Sequence, residues 1–128
     1  MTIPNSVTSV GKYAFCNCGA LVSVTMPDSI TSIGTYAFSG CIELMSVKIS
    51  NGLTSISDCM FAECKRLASV VIPSRVKTIG EMAFYNCSDL TCISIPSSVT
   101  RIKDRAFYGC NNVREATVGC NETFMQSQ

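Results

Sequence analysis

The sequence contains no histidine and no tryptophan. Losing histidine removes the commonest general base, the Ser-His-Asp and Cys-His arrangements, and every imidazole metal site. Charge is scarce as well: 15% of the 128 residues are Asp, Glu, Lys or Arg, and they leave a formal net charge of +1. Such a balance gives no electrostatic footprint for nucleic acid or for an anionic membrane. No apolar run approaches the ~18 to 20 residues of a membrane span. The opening Met1-Thr2-Ile3-Pro4 lacks the basic and apolar regions of a signal peptide. There is no Gly-rich phosphate loop, and no cluster of carboxylates breaks the pattern where a pocket could be built. These absences argue against an enzyme, a bound cofactor or metal, a nucleic-acid partner and membrane insertion, and they leave protein surfaces as the partners to expect.

What the chain has in quantity is apolar side chains, 47% of the total, and nine cysteines. Both are distributed periodically. Phe15, Phe38, Phe61, Phe84 and Phe107 form one column with a step of 23 residues, and Cys18, Cys41, Cys64, Cys87 and Cys110 form another. Read at that period, the chain is a single domain of five repeats, 3–25, 26–48, 49–71, 72–94 and 95–117, followed by a degenerate remnant, 118–128. The columns headed by Ile3, Val7, Val10, Ala14, Phe15, Cys18, Leu21 and Val24 are apolar in all five repeats. Their spacing compresses to alternation at Leu21-x-x-Val24-x-Met26 and opens elsewhere, which fits a strand feeding an arc of backbone and not an amphipathic helix. One coil cannot bury its own apolar side, so it must stack on its neighbours.

The punctuation agrees. All four prolines, Pro4, Pro27, Pro73 and Pro96, stand directly after the strand, where a missing N–H ends pairing cheaply. Gly11, Gly34 and Gly80 follow a second short apolar pair such as Val7-x-x-Val10 and mark a tight turn. The Ala-Phe-x-x-Cys segment that comes next is too short for an ordinary α-helix and reads as a single helical or 3₁₀ turn. The expected fold is a β-rich solenoid of about five coils, each made of strand, turn, strand and short helical turn.

The run from Met26 to Val47, close to Ile-Pro-x-Ser-Val-Thr-x-Ile-Gly-x-x-Ala-Phe-x-x-Cys-x-x-Leu-x-x-Val, resembles the BspA-type leucine-rich repeat of bacterial and protist surface proteins. The likeness extends from Ile3 to Thr117. It departs from the commoner leucine-rich pattern in having no Asn or Cys after the strand, so no asparagine ladder is expected. The resemblance implies parallel strands on a concave sheet, a place at the cell surface or outside the cell, and adhesion to or binding of a host or matrix protein.

Three readings of the cysteines compete. Ladder thiols on adjacent coils would lie about 5 Å apart, near enough for disulfides, yet five stacked thiols cannot all pair. Cys16-x-Cys18 and Cys59-x4-Cys64 only loosely imitate paired zinc ligands. Column identity favours packing, a common fate of free cysteine.

On the first strand the outward positions are Ser23 and Thr25, Ser46 and Lys48, Ser69 and Val71, Cys92 and Ser94, Glu115 and Thr117. All of them except Cys92 are the candidate partner-binding residues, although the face lacks the aromatic and arginine side chains that usually anchor a hot spot. The second strand shows rows of Ser and Thr interrupted by Lys77 and Arg101, which suit a solvated sheet. Tyr13 and Tyr36 share one column, and Tyr85 and Tyr108 share another, as further exposed candidates. Met1 aligns with the strand column, and Glu122 falls where the pattern calls for Val or Ile. Solenoid ends without polar caps invite end-to-end self-association. An intracellular scaffold or a truncated repeat fragment is therefore the alternative to adhesion.

Overall fold

The computed structural model describes residues 1–118 and 122–123, with side-chain detail through Arg114. Two rows of short strands run along it. The first row is β2 (Ser23–Thr25), β4 (Ser46–Lys48), β6 (Ser69–Val71), β8 (Cys92–Ile95) and β10 (Glu115–Val118). The second is β1 (Ser9–Val10), β3 (Ser32–Ile33), β5 (Ser55–Ile56), β7 (Thr78–Ile79) and β9 (Arg101–Ile102). Within each row the paired strands are parallel and join residues 23 apart, as in Ser23 with Ser46, Thr78 with Arg101 and Cys92 with Glu115. The chain is thus a parallel β-solenoid, with four full turns separating β2 from β10. Antiparallel β11 (Glu122–Thr123) pairs with the free side of β10. Thr2 bridges Thr25 at the other end of the first row.

The apolar columns point inward and make one continuous core. Ile30, Ala37, Phe38, Cys41 and Leu44 of one coil are fully buried, and so are Val76, Ala83, Phe84, Cys87 and Leu90 two coils later. The phenylalanines form a stack with ring centroids 5.1, 5.6, 5.5 and 5.3 Å apart and planes within 13° of parallel. That offset arrangement is the one an aromatic column favours.

The arc that carries the phenylalanines differs from expectation. No helix occurs among the described residues. Two positions in each coil instead take left-handed backbone angles: Tyr13 and Asn17, Tyr36 and Gly40, Cys59 and Glu63, Met82 and Asn86, Arg105 and Gly109. These reversals interrupt winding, and every second N–H of the arc, as at Tyr13, Phe15 and Asn17, points to the next coil. Phe15 donates to Ala37 O at 2.7 Å, Phe38 to Met60 O at 2.9 Å, Phe61 to Ala83 O at 2.8 Å and Phe84 to Ala106 O at 2.8 Å. Left-handed geometry costs a residue other than glycine roughly 1 to 2 kcal/mol, and the bond to the neighbouring coil offsets it. Where glycine holds the position it also makes room: a Cβ on Gly40 or Gly109 would collide with the side chain of Asn17 or Asn86 on the preceding coil.

Both strand rows break at the same junction. The first row pairs β2 with β4 and then restarts at β6; the second pairs β1 with β3 and restarts at β5. Three coil-to-coil bonds made at other junctions are missing there. Ile3, Met26 and Ile72 N–H donate to Thr25, Lys48 and Ser94 O, but among the described residues Ile49 has no such bond to Val71. Thr54 to Thr31 and Ser57 to Ile33 are likewise absent, whereas their equivalents, such as Thr31 to Thr8 and Gly34 to Val10, are formed. The arc side of the junction stays closed through the Tyr36 to Asp58 and Gly40 to Ala62 bonds, at 3.2 and 2.8 Å.

The break coincides with the third repeat, which departs from its columns at three positions on this side: Ser50 in the proline column, Gly52 where Ser29 and Ser98 stand, and Ser57 in the glycine column. Side chains bridge what the backbone leaves open. Ser29 and Ser98 each donate a hydroxyl to the preceding coil, to Val7 O and Val76 O, both at 2.7 Å. In the third repeat that hydroxyl moves two residues back, so that Ser50 donates to Ile30 O at 2.7 Å and accepts the Gly52 N–H at 3.0 Å. A Cβ on Gly52 would lie 2.7 Å from both Asp28 O and Ile30 O, so only glycine fits beside Ser50. Ser57 donates to Gly34 O at 3.0 Å, and Asp28 Oδ1 accepts the Asn51 N–H at 3.0 Å.

Two stability predictions follow from this packing. Ser50→Ala would leave the buried Ile30 carbonyl and the Gly52 N–H without their partner, lowering stability by about 1 to 3 kcal/mol; a urea midpoint equal to the parent's would show that the hydroxyl does not bridge the coils. Phe84→Ala would open a cavity inside the ring stack at a cost of about 3 to 5 kcal/mol, to be read as a large drop in thermal midpoint.

Candidate interaction surface

Each strand of the first row turns one residue inward and the flanking ones outward, because side chains alternate across a strand. Ser23, Thr25, Ser46, Lys48, Ser69, Val71 and Ser94 are accordingly exposed. Cys92 is half-buried. Glu115 and Thr117 belong to β10 by backbone pairing, while their side chains lie outside the described residues. The structure thus assembles the expected positions into one face, a ladder of small hydroxyls crossed by a single lysine and a single valine.

Val71 is the outlier on that face. It is 69% exposed, more than any other large apolar side chain of the core-bearing coils. Beside it the broken junction leaves a surface dimple of about 280 Å³ lined by Val47, Lys48, Ile49, Asn51, Val71 and Pro73. Val47 stands in an inward column yet is only half-buried, whereas Val24 and Val70 in the same column are buried. Sequence reasoning found Lys48 and Val71 but missed Val47, Ile49, Asn51 and Pro73. The signal was available in the coincidence of Ser50, Gly52 and Ser57 within one repeat. Lys48 is the only charged side chain on the dimple's wall. Across the preceding coil, hydrogen bonding from Asn51 outweighs desolvation and, with the nearby Lys48 charge, holds the Asp28 carboxyl below its ordinary value.

Other exposed apolar side chains lie at the rim where the chain enters the first row: Val22, Ile42 and Met45. The tyrosines behave as their columns suggested. Tyr13 and Tyr36 stack at 4.9 Å and Tyr85 and Tyr108 at 5.4 Å, each ring covering its neighbour. Tyr13, Tyr36 and Tyr108 remain open to solvent.

The cysteine ladder is packed into the core, and it is also hydrogen-bonded. Cys41, Cys64, Cys87 and Cys110 Sγ each donate to the carbonyl of the phenylalanine on the preceding coil, at 3.1, 3.2, 3.2 and 3.1 Å. The same carbonyls accept the cysteine N–H of their own coil, for example Cys64 N–H to Phe61 O at 3.2 Å. These ladder thiols point along the solenoid at backbone oxygen, and Cys16, Cys18, Cys41, Cys59, Cys64, Cys87 and Cys110 form no disulfide. Cys120 lies outside the described residues. Burial pushes the Cys41 thiol up to about 11 and the Cys64 thiol up to about 12. A hydrogen bond to Cys110, together with burial, raises Cys87 well above its ordinary value. Protonated thiols of this kind are poor nucleophiles and poor metal ligands. Among the described residues no three Cys, Asp or Glu side chains are grouped to hold a metal ion, and no helix is long and apolar enough to cross a membrane.

The comparisons with known proteins define the class first. The fold matches leucine-rich-repeat solenoids of bacteria. A leucine-rich cell surface protein of Faecalibacterium prausnitzii superposes with a TM-score of 0.89 at 40% identity, over 91% of this chain and 31% of that one. A leucine-rich repeat protein of T. pallidum superposes with a TM-score of 0.88 at 31% identity, over 92% and 57%. One from Bacteroides capillosus gives 0.64 at 30% identity, over 80% and 75%. The model of the BspA type leucine-rich repeat region matches residues 1–114 in six copies, and the chain belongs to that family. No individually curated protein matches the sequence. The chain spans about a third and rather more than half of the first two solved structures. Family and fold together make it a repeat module of the protein-interaction kind.

The raised thiol values carry a pH prediction. Between about pH 9 and pH 11 to 12 the unfolded chain releases protons that Cys41 and Cys64 keep in the native state. The native state then binds more protons, so stability falls as pH rises through this window and is complete below it. Urea midpoints measured at pH 8 and pH 10.5 should fall further for the parent than for Cys64→Ala; equal falls would remove the thiol from the alkaline transition.

Proposed function

We propose that this chain is a single non-enzymatic recognition domain, 1–128, that uses the first-row strand face to bind a host or matrix protein in an adhesive role. The observation that carries the reading is the face itself. Ser23, Thr25, Ser46, Lys48, Ser69, Val71 and Ser94 stand on successive coils, with no inserted loop above them. A face built on stacked coils presents side chains already fixed in place, which lowers the ordering cost of association. The small hydroxyls make a flat surface that a partner can approach closely. Likeness to a leucine-rich cell surface protein of Faecalibacterium prausnitzii supports an extracellular setting. A fold of stacked coils in which burial keeps the Cys41 and Cys64 thiols protonated, together with the absence of histidine from the sequence, supports binding over catalysis.

The test is a binding assay of the immobilised chain against a set of purified extracellular-matrix proteins. Saturable binding to at least one is expected. Introducing two charges on the face, Ser46→Glu with Ser69→Glu, should weaken it at least tenfold while the thermal midpoint moves only slightly, whereas Tyr108→Ser, on another side of the coil, should leave it unchanged. Binding that ignores the double substitution would move the site off this face, and no binding to any matrix protein would overturn the adhesive role.

A further inference from the structure

From the dimple at the broken junction we infer a socket for one segment of a partner protein: an extended peptide that inserts an aliphatic side chain beside Val47 and Val71 and sets an adjacent carboxylate on Lys48. This inference rests on the strand face being the binding face and names what the face would grip.

Three features of the lining each select one part of that occupant. The apolar part is the floor. Val71 is 69% exposed and Val47 half-exposed, in a recess of about 280 Å³ that Ile49 and Pro73 extend. Covering such apolar surface favours association, and pockets filled by a single apolar side chain are where interfaces concentrate their energy. The backbone part is the opened ladder. The Ile49 N–H and the Val71 carbonyl, whose equivalents bond to each other at the neighbouring junctions, do not do so here, and both residues line the recess. A peptide main chain carries the acceptor and the donor that match them, as in strand addition to a sheet. A lipid chain would match neither group. The charged part is Lys48, the one charge on the wall. Asp28 faces it from the preceding coil, but its Oδ1 is engaged by the Asn51 N–H, and no ion pair within 4.0 Å joins it to Lys48 among the described residues. Lys48 therefore keeps an open side for a partner's carboxylate.

The other junctions offer no equivalent. At the β2–β4 and β6–β8 junctions the ladder is closed by the Met26 to Lys48 and Ile72 to Ser94 bonds, both at 3.0 Å. The outward residues there are Ser23, Thr25 and Ser46 beside Lys48, and Ser69, Cys92 and Ser94 beside Val71. The socket occurs once along the described solenoid and sits near its middle.

The experiment uses the isotope-labelled full chain and three blocked tetrapeptides followed by amide chemical shifts: Ser-Leu-Asp-Ser, Ser-Ser-Asp-Ser and Ser-Leu-Lys-Ser. The first should shift the amides of Val47, Lys48, Ile49, Asn51 and Val71 with a millimolar dissociation constant, and the other two should bind at least fivefold more weakly. Val71→Asp, at an exposed position that burial does not constrain, should abolish the shifts, and Lys48→Glu should transfer the preference to the Ser-Leu-Lys-Ser peptide. Equal binding of all three peptides, shifts elsewhere on the chain, or indifference to Val71→Asp would overturn the socket. The two readings separate cleanly: a matrix protein that is lost with Ser46→Glu and Ser69→Glu but retained with Val71→Asp leaves the strand face standing and removes the socket.

Discussion

The structure depends on the hydrogen bond from one coil to the next. A coil of 23 residues has too little interior to bury its own apolar side chains, and its backbone lies at the surface of the core along its whole circuit. Both problems have the same solution, a neighbour at strand spacing that covers the side chains and pairs the N–H and C=O groups. Every column then has to hold a residue that tolerates a copy of itself about 5 Å away. Phenylalanine does so by offset stacking, cysteine by donating a thiol hydrogen bond to a carbonyl of the coil before it, and the outward positions by using small hydroxyls. The columns are a consequence of the spacing.

This constraint explains which parts of the fold were legible in the sequence. The solenoid, its inward columns and the outward assignment of Ser23, Thr25, Ser46, Lys48, Ser69, Val71 and Ser94 could be read because a stack repeats its requirements at a fixed period. The arc could not be read in the same way. Its left-handed positions are filled in one column by Asn17, Gly40, Asn86 and Gly109, a recognisable signal that only Glu63 breaks, but by Tyr13, Tyr36, Cys59, Met82 and Arg105 in the other, which carries none. Residues with no preference for that conformation occupy it because the bond to the next coil outweighs the local cost. A tertiary interaction overrode local propensity, and the expected helical turn became a third hydrogen-bonded side. The cysteine ladder was assigned to packing correctly, but its hydrogen bonds depend on the direction of Sγ along the axis, which spacing cannot supply.

The broken junction was hidden for a related reason. Ser50, Gly52 and Ser57 are each an ordinary substitution when taken singly. Their effect emerges only in three dimensions, where the hydroxyl of Ser50 takes over the work that Ser29 and Ser98 do from another position, and where a Cβ on Gly52 would strike two carbonyl oxygens. Ser50 and Gly52 are coupled through Ile30 O, which the Ser50 hydroxyl bonds and a Cβ at position 52 would strike, whereas Ser57 acts separately on Gly34 O. The arc side continues unbroken across the same junction, and for this reason the departure opens the strand side without separating the coils.

A regular solenoid has a difficulty as a recognition surface, because identical rungs offer a partner several equivalent registers one coil apart. Register is fixed only by something that occurs once. Along the described strand face the hydroxyl rows do not meet that condition, since a slip of 23 residues exchanges Ser23 for Ser46 and Ser46 for Ser69. Lys48, Val71 and the recess between them do meet it, and they stand where three residues depart together from the repeat. The same physics that makes the columns uniform therefore concentrates distinguishing chemistry at the place where uniformity fails, and a partner able to choose one register on this face has to engage that place.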